Sequence, residues 1–280
     1  MLHPRITLNC KGKPLSLDPP AVMGIINATP DSFYAGSRAG SVDQGLRMAE
    51  QMVIEGAAIL DIGGMSSRPG AAIIEVQEEL DRVVPLIEAV NRTFPDTVIS
   101  VDTVRASVAK AAVRAGARIV NDISAGRIDP DMYPTVAGLG VPYILMHMKG
   151  EPATMQQAPQ YEDAALEVLD FFIAETRELE RLGVKDIILD PGFGFGKTIR
   201  HNFQLMKQLH IFGVLDYPVM TGISRKSTIY RTLGVQPEEA LNGATALHMV
   251  ALQHGSRLLR VHDVKPAREA ILLFQALESA

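Results

Sequence analysis

The stretch EGAAIL, residues 55–60, sets a glycine between a helical run and an aliphatic one. The same join returns as AGARIV at 115–120, LGVKDIIL at 182–189 and HGSRLL at 254–259. Glycine suits the end of a helix because a Cβ hinders the left-handed backbone that closes one. Helical patterns lead into these joins. SVDQGLRMAEQMVIEG opens at Ser41, read as its cap, and stops at Gly56; YEDAALEVLDFFIAETRELERLG, residues 161–183, stops at Gly183; EALNGATALHMVALQHG stops at Gly255. A recurring order of helix, glycine and strand is the mark of βα units.

Eight β-rich runs occur in order: AVMGIIN (21–27), AAILDI (57–62), TVISVD (97–102), ARIVND (117–122), PYILMH (142–147), DIILD (186–190), YPVMTGI (217–223) and SRLLRVH (256–262). The first, third, fourth and sixth are nearly continuous aliphatic runs, as strands buried on both faces of a parallel sheet require. About eight units of roughly 30 to 35 residues match an α/β fold of the (β/α)8 TIM barrel type, with a doubly wound open sheet as the fallback. No Ser- or Pro-rich linker divides the chain, so residues 1–280 are expected to form a single domain. Residues 1–20 are expected to form a short N-terminal hairpin or plug before the first barrel strand.

Composition narrows the function classes. Of 280 residues, 47% are hydrophobic and 21% charged, as in a soluble enzyme. A net charge of −5 argues against a nucleic-acid partner. A single cysteine, Cys10, allows no intramolecular disulfide, which fits a reducing compartment. The opening residues lack the apolar core of a signal peptide, and no run of about 18 apolar residues occurs. A cytoplasmic location with no membrane partner is therefore expected. No His/Cys cluster has zinc-ligand spacing.

In a barrel of this kind, function collects at the C-terminal ends of the strands. Those ends carry Asn27, Asp61, Asp102, Asn121 with Asp122, His147, Asp190, Lys226 after a short loop, and Arg260 with His262. Asp102, Asn121 and Asp190 can read a flat ligand rich in N–H donors. Arg260, His262 and Lys226 can hold anionic oxygens. One half of the mouth thus suits a planar heterocycle and the other a phosphate group. The loop DPGFGFGKT, 190–198, looks like a phosphate cradle but is not one: Pro191 stands where a Walker A loop needs glycine, and the glycines at 192, 194 and 196 do not form G-x-G-x-x-G.

Eight motifs together carry a resemblance: MGIINATPDSFYAGS (23–37), DIGGMSSRPGA (61–71), SVDT (100–103), IVNDIS (119–124), MHMKGEPATMQ (146–156), LDPGFGFGKT (189–198), GISRKS (222–227) and RVHDV (260–264). In order and spacing the series resembles the dihydropteroate synthase family, over roughly residues 20 to 270. The resemblance implies a barrel enzyme that condenses a dihydropterin pyrophosphate with p-aminobenzoate, releases pyrophosphate with Mg²⁺ as cofactor, follows a dissociative route, and stands on the way to folate. It implies a homodimer formed through helices remote from the mouth.

Residue by residue, the resemblance implies that Asp102, Asn121, Asp190 and Lys226 bind the pterin, with Met146 beside them as a packing contact. Asn27, Arg68, Arg260 and His262 fall to the pyrophosphate, and Asn27 to the metal. Ser67, Arg68, Pro69, Gly194, Phe195, Ser224 and Lys226 fall to the p-aminobenzoate pocket, with Phe195 as an apolar wall. Asp102, Asp190, Lys226, Arg260, Asp31 and Arg68 are the catalytic set. The loops about 28–40 and 63–74 are expected to close over the substrates, so that Asp31, Ser32 and Arg68 act only then. Lys197 stays open between a ligand contact and a solvated or loop-stabilising lysine, and His147 between shaping the pterin pocket and finishing a strand.

The second loop departs from the commonest family pattern, with Met65 and Ser67 in place of Glu and Thr. His248 and His254 are read as ordinary helix residues, and Met148 as packing. Three rivals stand beside this reading. A pterin-dependent methyltransferase domain would not need the SRKS and SSRPGA loops. A barrel aldolase would need Lys226 buried with a lowered pKa, which the neighbouring Arg225 and serines speak against. A non-catalytic pterin-binding paralogue could keep nearly the same sequence.

Overall fold

The structure is a computed structural model that describes residues 6–28, 38–65, 74–150, 155 and 159–280. All four glycine joins take the backbone that their place implies. Gly56, Gly116, Gly183 and Gly255 have φ of 97°, 126°, 93° and 93°, each between a helix and the strand that follows.

The elements begin with a hairpin, β1 (Thr7–Cys10) and β2 (Lys13–Ser16), paired antiparallel. There follow β3 (Ala21–Asn27), α1 (Arg38–Ile54), β4 (Ile59–Gly63), α2 (Val76–Thr93), β5 (Val98–Asp102), α3 (Ala106–Ala115), β6 (Ile119–Asp122) and α4 (Met132–Leu139). The second half is β7 (Tyr143–Met146), α5 (Ala164–Arg181), β8 (Ile187–Asp190), α6 (Ile199–Lys207), β9 (Val219–Thr221), α7 (Ser227–Leu233), α8 (Leu241–Gln253), β10 (Ser256–Val261) and α9 (Val264–Glu278). Strands β3 to β10 form a closed parallel barrel, in which β10 pairs with both β9 and β3. The fold is the (β/α)8 TIM barrel, and the open sheet is excluded by that closure. Ser41 lies inside α1, not at its start, so it is no N-cap. The α5 helix is instead capped by Asp163, whose carboxylate accepts from the backbone N–H groups of Ala165 and Leu166.

Side chains on the strands alternate between two environments. Val22, Ile26, Leu60, Ile62, Ile99, Val101, Val120 and Leu145 pack outward against the helices. Met23, Ile59, Val98, Ile119, Ile144, Ile188, Met220 and Leu258 meet in a second cluster that fills the lower barrel. Leu8, Cys10 and Leu17 of the hairpin segment join this second cluster, so the hairpin is itself the plug at the N-terminal end. Burial pushes the Cys10 thiol up to about 12, which leaves it an inert packing group. With the bottom sealed by apolar side chains, polar chemistry is confined to the other end.

Candidate active site

Two residues above the apolar layer, the inward positions turn polar. Along β4 the order is Ile59 then Asp61, along β5 Val98, Ser100 then Asp102, and along β10 Leu258 then Arg260. These polar ends meet. Arg260 Nε donates to Asp61 Oδ2 at 2.7 Å, and Arg260 Nη2 donates to Asp102 Oδ2 at 2.7 Å. Asn121 Nδ2 donates to the same Asp61 Oδ2 at 3.0 Å. One guanidinium and one amide thus converge on a fully buried carboxylate, whose Oδ1 has no hydrogen-bond partner among the described residues.

Burial dominates the ionisation of this cluster. It lifts the Asp102 carboxyl well above the ordinary carboxylate range; Arg260 pulls it back and Asp61 lifts it further. Asp190, at the end of β8, is also raised by burial, opposed first by Lys226. For Arg260 burial acts downward, but Asp61 and Asp102 outweigh it and the guanidinium is held in its charged form. Burial lowers the Lys226 amine to about 8, partly offset by Asp190. Lys226 donates to the carbonyl of Phe193 and its Nζ lies 4.4 Å from the centroid of the Phe195 ring. The ground on which an aldolase was set aside does not hold, because Lys226 is a lysine with a lowered pKa.

The 190–198 loop owes its glycines to a close crossing. A Cβ at Gly192 would strike the carbonyl oxygen of His147, and one at Gly196 the carbonyl oxygen of Lys149. Lys197 turns inward beneath the loop. Its Nζ donates to the carbonyls of Gly192 (3.0 Å), Phe195 (3.0 Å) and His147 (3.2 Å), and lies 2.9 Å from His147 Nδ1. Burial, then Lys197, lowers the His147 imidazole to about 2, so the ring beside the lysine is neutral. Lys197 is therefore the loop-stabilising lysine of the two readings, and His147 is its partner. The Asp190 Oδ1 accepts from Gly192 N–H at 2.8 Å, which ties the start of the loop to the mouth.

An apolar wall adjoins the polar cluster. Val104, Ile123, Met146, Met148 and Met155 are buried together, and Met65 and Phe195 pack against them. Met65 thus extends an apolar surface. On the other side Ser224 Oγ lies 3.2 Å from His262 Nδ1, and Arg225 clamps Asp263 with bonds of 3.0 and 2.6 Å. That clamp joins the loop after β9 to the end of β10 and so fixes Lys226 beside Arg260.

Residues 23–262 match the family described as pterin binding enzyme. The dihydropteroate synthase of Escherichia coli (strain K12) is 42% identical over 275 residues, covering 98% of this chain and 97% of that one. The chain belongs to the dihydropteroate synthase family. The Yersinia pestis dihydropteroate synthase, solved as a sulfonamide drug complex, superposes with a TM-score of 0.92 at 41% identity, covering 98% of this chain and all of that one (100%). The Xanthomonas albilineans dihydropteroate synthase solved with 4-aminobenzoic acid gives a TM-score of 0.92 at 41% identity, with 98% and 99% covered. The same enzyme in complex with 7,8-dihydropteroate gives 0.88 at 39% identity, with 98% and 99% covered.

Of the family residues expected in this chain, the structure brings Asp102, Asn121 and Arg260 into one bonded cluster, with Asp190 and Lys226 close enough to perturb it. Met146, Gly194, Phe195, Ser224 and His262 border it, and Asn27 ends β3. Asp31, Ser32, Ser67, Arg68 and Pro69 lie outside the described residues. Asp122 does not belong to the mouth. Its carboxylate accepts from Ser124 N–H and Oγ, from Gly126 N–H and from Tyr143 Oη, so it braces the turn after β6. Asp61 stood among the strand ends without a role in the site, although it is the acid on which Arg260 and Asn121 converge. Its signal was the alternation along β4, which sets it on the same face as Ile59.

Proposed function

We propose that this mouth condenses 6-hydroxymethyl-7,8-dihydropterin pyrophosphate with p-aminobenzoate by a dissociative route, within one pterin-binding barrel that spans residues 1–280. The protein is a transferase of the dihydropteroate synthase type. The observation that carries the residue assignment is the buried cluster of Asp61, Asp102, Asn121 and Arg260, bonded at 2.7 to 3.0 Å at the C-terminal end of the barrel.

The pterin is a flat donor-rich ring, and Asp102, Asn121 and Asp190 offer it acceptors and an amide, with Met146 against its apolar surface. The pyrophosphate meets Arg260, His262 and Asn27, joined by Arg68. As the carbon–oxygen bond breaks, its electron pair passes to the pyrophosphate oxygen, and Arg260 and Lys226 are the cations that face the growing charge. The carbon left behind carries positive charge, which the carboxylates of Asp102 and Asp190 stabilise from within a water-poor barrel. The amine nitrogen of p-aminobenzoate, held by Ser67, Pro69, Gly194, Phe195, Ser224 and Lys226, forms the new bond and then loses a proton. Asp31 and Arg68 complete the catalytic set.

Mg²⁺ fits this arrangement as a shared ligand. Among the described residues no group of three His, Cys, Asp or Glu could hold a metal, and Asp61 and Asp102 are engaged by Arg260. Mg²⁺ takes phosphate and water oxygens with few protein ligands, so the amide oxygen of Asn27 at the end of β3 meets its need. When bound it would neutralise the leaving pyrophosphate. A cytoplasmic homodimer belongs to the same reading. It is supported by exposed Leu233, Leu241, Leu272, Leu273 and Leu277 on α7, α8 and α9 and by the lack, among the described residues, of any helix long and apolar enough to cross a membrane.

The test is pyrophosphate release from dihydropterin pyrophosphate with and without p-aminobenzoate and Mg²⁺, coupled with calorimetry on Arg260→Ala. Release that requires both additions is expected, with the variant losing more affinity for the pyrophosphate ester than for bare pterin. Equal loss of both would overturn the assignment of Arg260, and no turnover with intact pterin binding would favour the non-catalytic paralogue.

A further inference from the structure

The motif SVDT ends in a residue that the reaction leaves unused. Thr103 directly follows Asp102 at the end of β5 and is buried. Its N–H donates to the carbonyl of Asn121 at 3.0 Å. Its Oγ1 accepts from Arg105 N–H at 3.2 Å and donates to Glu79 Oε1 at 2.6 Å. Glu79, in the first turn of α2, is fully buried, and its Oε2 accepts from Arg105 Nη1 at 2.5 Å.

One residue thus carries two ties. Its hydroxyl joins the turn between β5 and α3 to α2, and its N–H joins β5 to β6. Asp102 and Asn121 are partners across those two strands, so the second tie lies beside the pair that faces the pterin. A hydroxyl bonded to a charged carboxylate makes one of the stronger and shorter hydrogen bonds, which holds the Thr103 side chain to one orientation. A buried carboxylate without its cation is costly, and Arg105 supplies that cation to Glu79. Two glycines bring α2 this near. A Cβ at Gly63 would meet Asp102 Cβ at 3.3 Å, and one at Gly64 would meet Val83 Cγ1 at 2.8 Å and Glu79 Cγ at 3.2 Å. The Gly63–Gly64 backbone therefore runs close to both acids.

We propose that Thr103, anchored by Glu79, is a positioning residue for the pterin: it sets the end of β5 so that the Asp102 carboxylate and the Asn121 amide stand at a fixed spacing before the ring. The inference rests on the placement of Asp102 and Asn121 at the pterin given above. An anchor that only fastened α2 to the barrel would change stability and leave substrate binding alone.

Thr103→Val keeps the shape and removes the hydroxyl, whereas Thr103→Ser keeps the hydroxyl. Both are compared with Glu79→Gln and with the double variant of Thr103→Val and Glu79→Gln, and Asp102→Asn is the comparator. Pterin calorimetry, steady-state kinetics in p-aminobenzoate at saturating pterin substrate, and Tm are measured for each, well below the Tm. The positioning role requires the pterin Kd to rise about fivefold or more in Thr103→Val, on the scale of one hydrogen bond, with the KM for p-aminobenzoate within about twofold of wild type. Thr103→Ser recovers most of the loss. Glu79→Gln raises the pterin Kd as well, and the double variant binds no worse than the weaker single one, because the two residues act as one unit. Additive losses overturn the part given to Glu79. Should Glu79→Gln fail to fold, the two Thr103 variants decide alone. A lowered Tm with an unchanged pterin Kd, or an equal effect on both substrates, overturns the role. An unchanged pterin Kd in Asp102→Asn overturns instead the placement of Asp102 at the pterin, so the two failures are told apart.

Discussion

Arg260 and Asp61 lie 199 residues apart in the chain, yet Nε of one and Oδ2 of the other are 2.7 Å apart inside the barrel. The bond reaches from β10 to β4 past β3, and it makes the phosphate-holding and pterin-reading halves of the mouth one electrostatic unit. Asp61 is the hinge of that unit, since Asn121 shares its Oδ2.

Replacing Asp61 by Asn keeps the shape and removes the charge. Arg260 then loses half of its compensation, and breaking one member of a buried ionic cluster costs roughly 3–5 kcal/mol. Asp61→Asn is expected to lower kcat/KM about 100-fold or more and to reduce the Tm, read by steady-state kinetics and calorimetric melting. Kinetics within twofold of wild type would show that Asp61 is a bystander.

The pH profile should be bell-shaped. Lys226 is lowered to about 8, so its charge is present below that pH and lost above it. Asp102 is raised by burial, so its charge is present above its pKa and lost as the pH falls toward neutrality from the alkaline side. kcat/KM for the pterin substrate should therefore fall on both flanks, with the alkaline limb near pH 8. Lys226→Arg should push that limb beyond the accessible range, because a guanidinium stays charged. An unmoved limb would assign it to another group.

Lys197 serves three carbonyls at 3.0 to 3.2 Å from a nearly inaccessible position. Lys197→Met removes a donor from each, although the Gly192 carbonyl still accepts from Phe195 N–H at 3.1 Å, and each buried unsatisfied group costs about 1–3 kcal/mol. Relief of the amine's own desolvation offsets part of this, so a loss of about 3 kcal/mol in urea unfolding is expected. The KM for p-aminobenzoate should rise too, since the Phe195 carbonyl is held by the same amine. Unchanged stability would return Lys197 to the solvated reading.

Leu8→Ala tests the opposite end. Leu8 is buried in the plug far from the mouth. Truncation of such a leucine costs about 2–5 kcal/mol, and both KM values should stay within twofold. A selective change in KM would mean that the plug acts on the mouth.

Much of this was legible before any coordinates. The aliphatic runs and the glycine joins at 56, 116, 183 and 255 report local physics, period and helix closure, and both survive in the fold. The strand-end residues Asp102, Asn121, Asp190 and Arg260 followed from the rule that barrel function sits at the C-terminal ends. Helix starts were less legible: Ser41 has the chemistry of a cap, yet α1 begins at Arg38.

Tertiary structure alone decided the partners. A motif names Lys197 but cannot say whether its amine faces solvent, a ligand or three carbonyls, because that depends on a segment 50 residues away. It names Asp61 and Asp122 as equal strand-end acids. Alternation in the folded barrel turns Asp61 inward to Arg260 and Asp122 outward to Tyr143. Nor does any spacing reveal that Glu79 and Arg105 meet. Sequence fixes which groups exist and the local period that carries them; only closure of the barrel removes their water and so chooses which charges must pair.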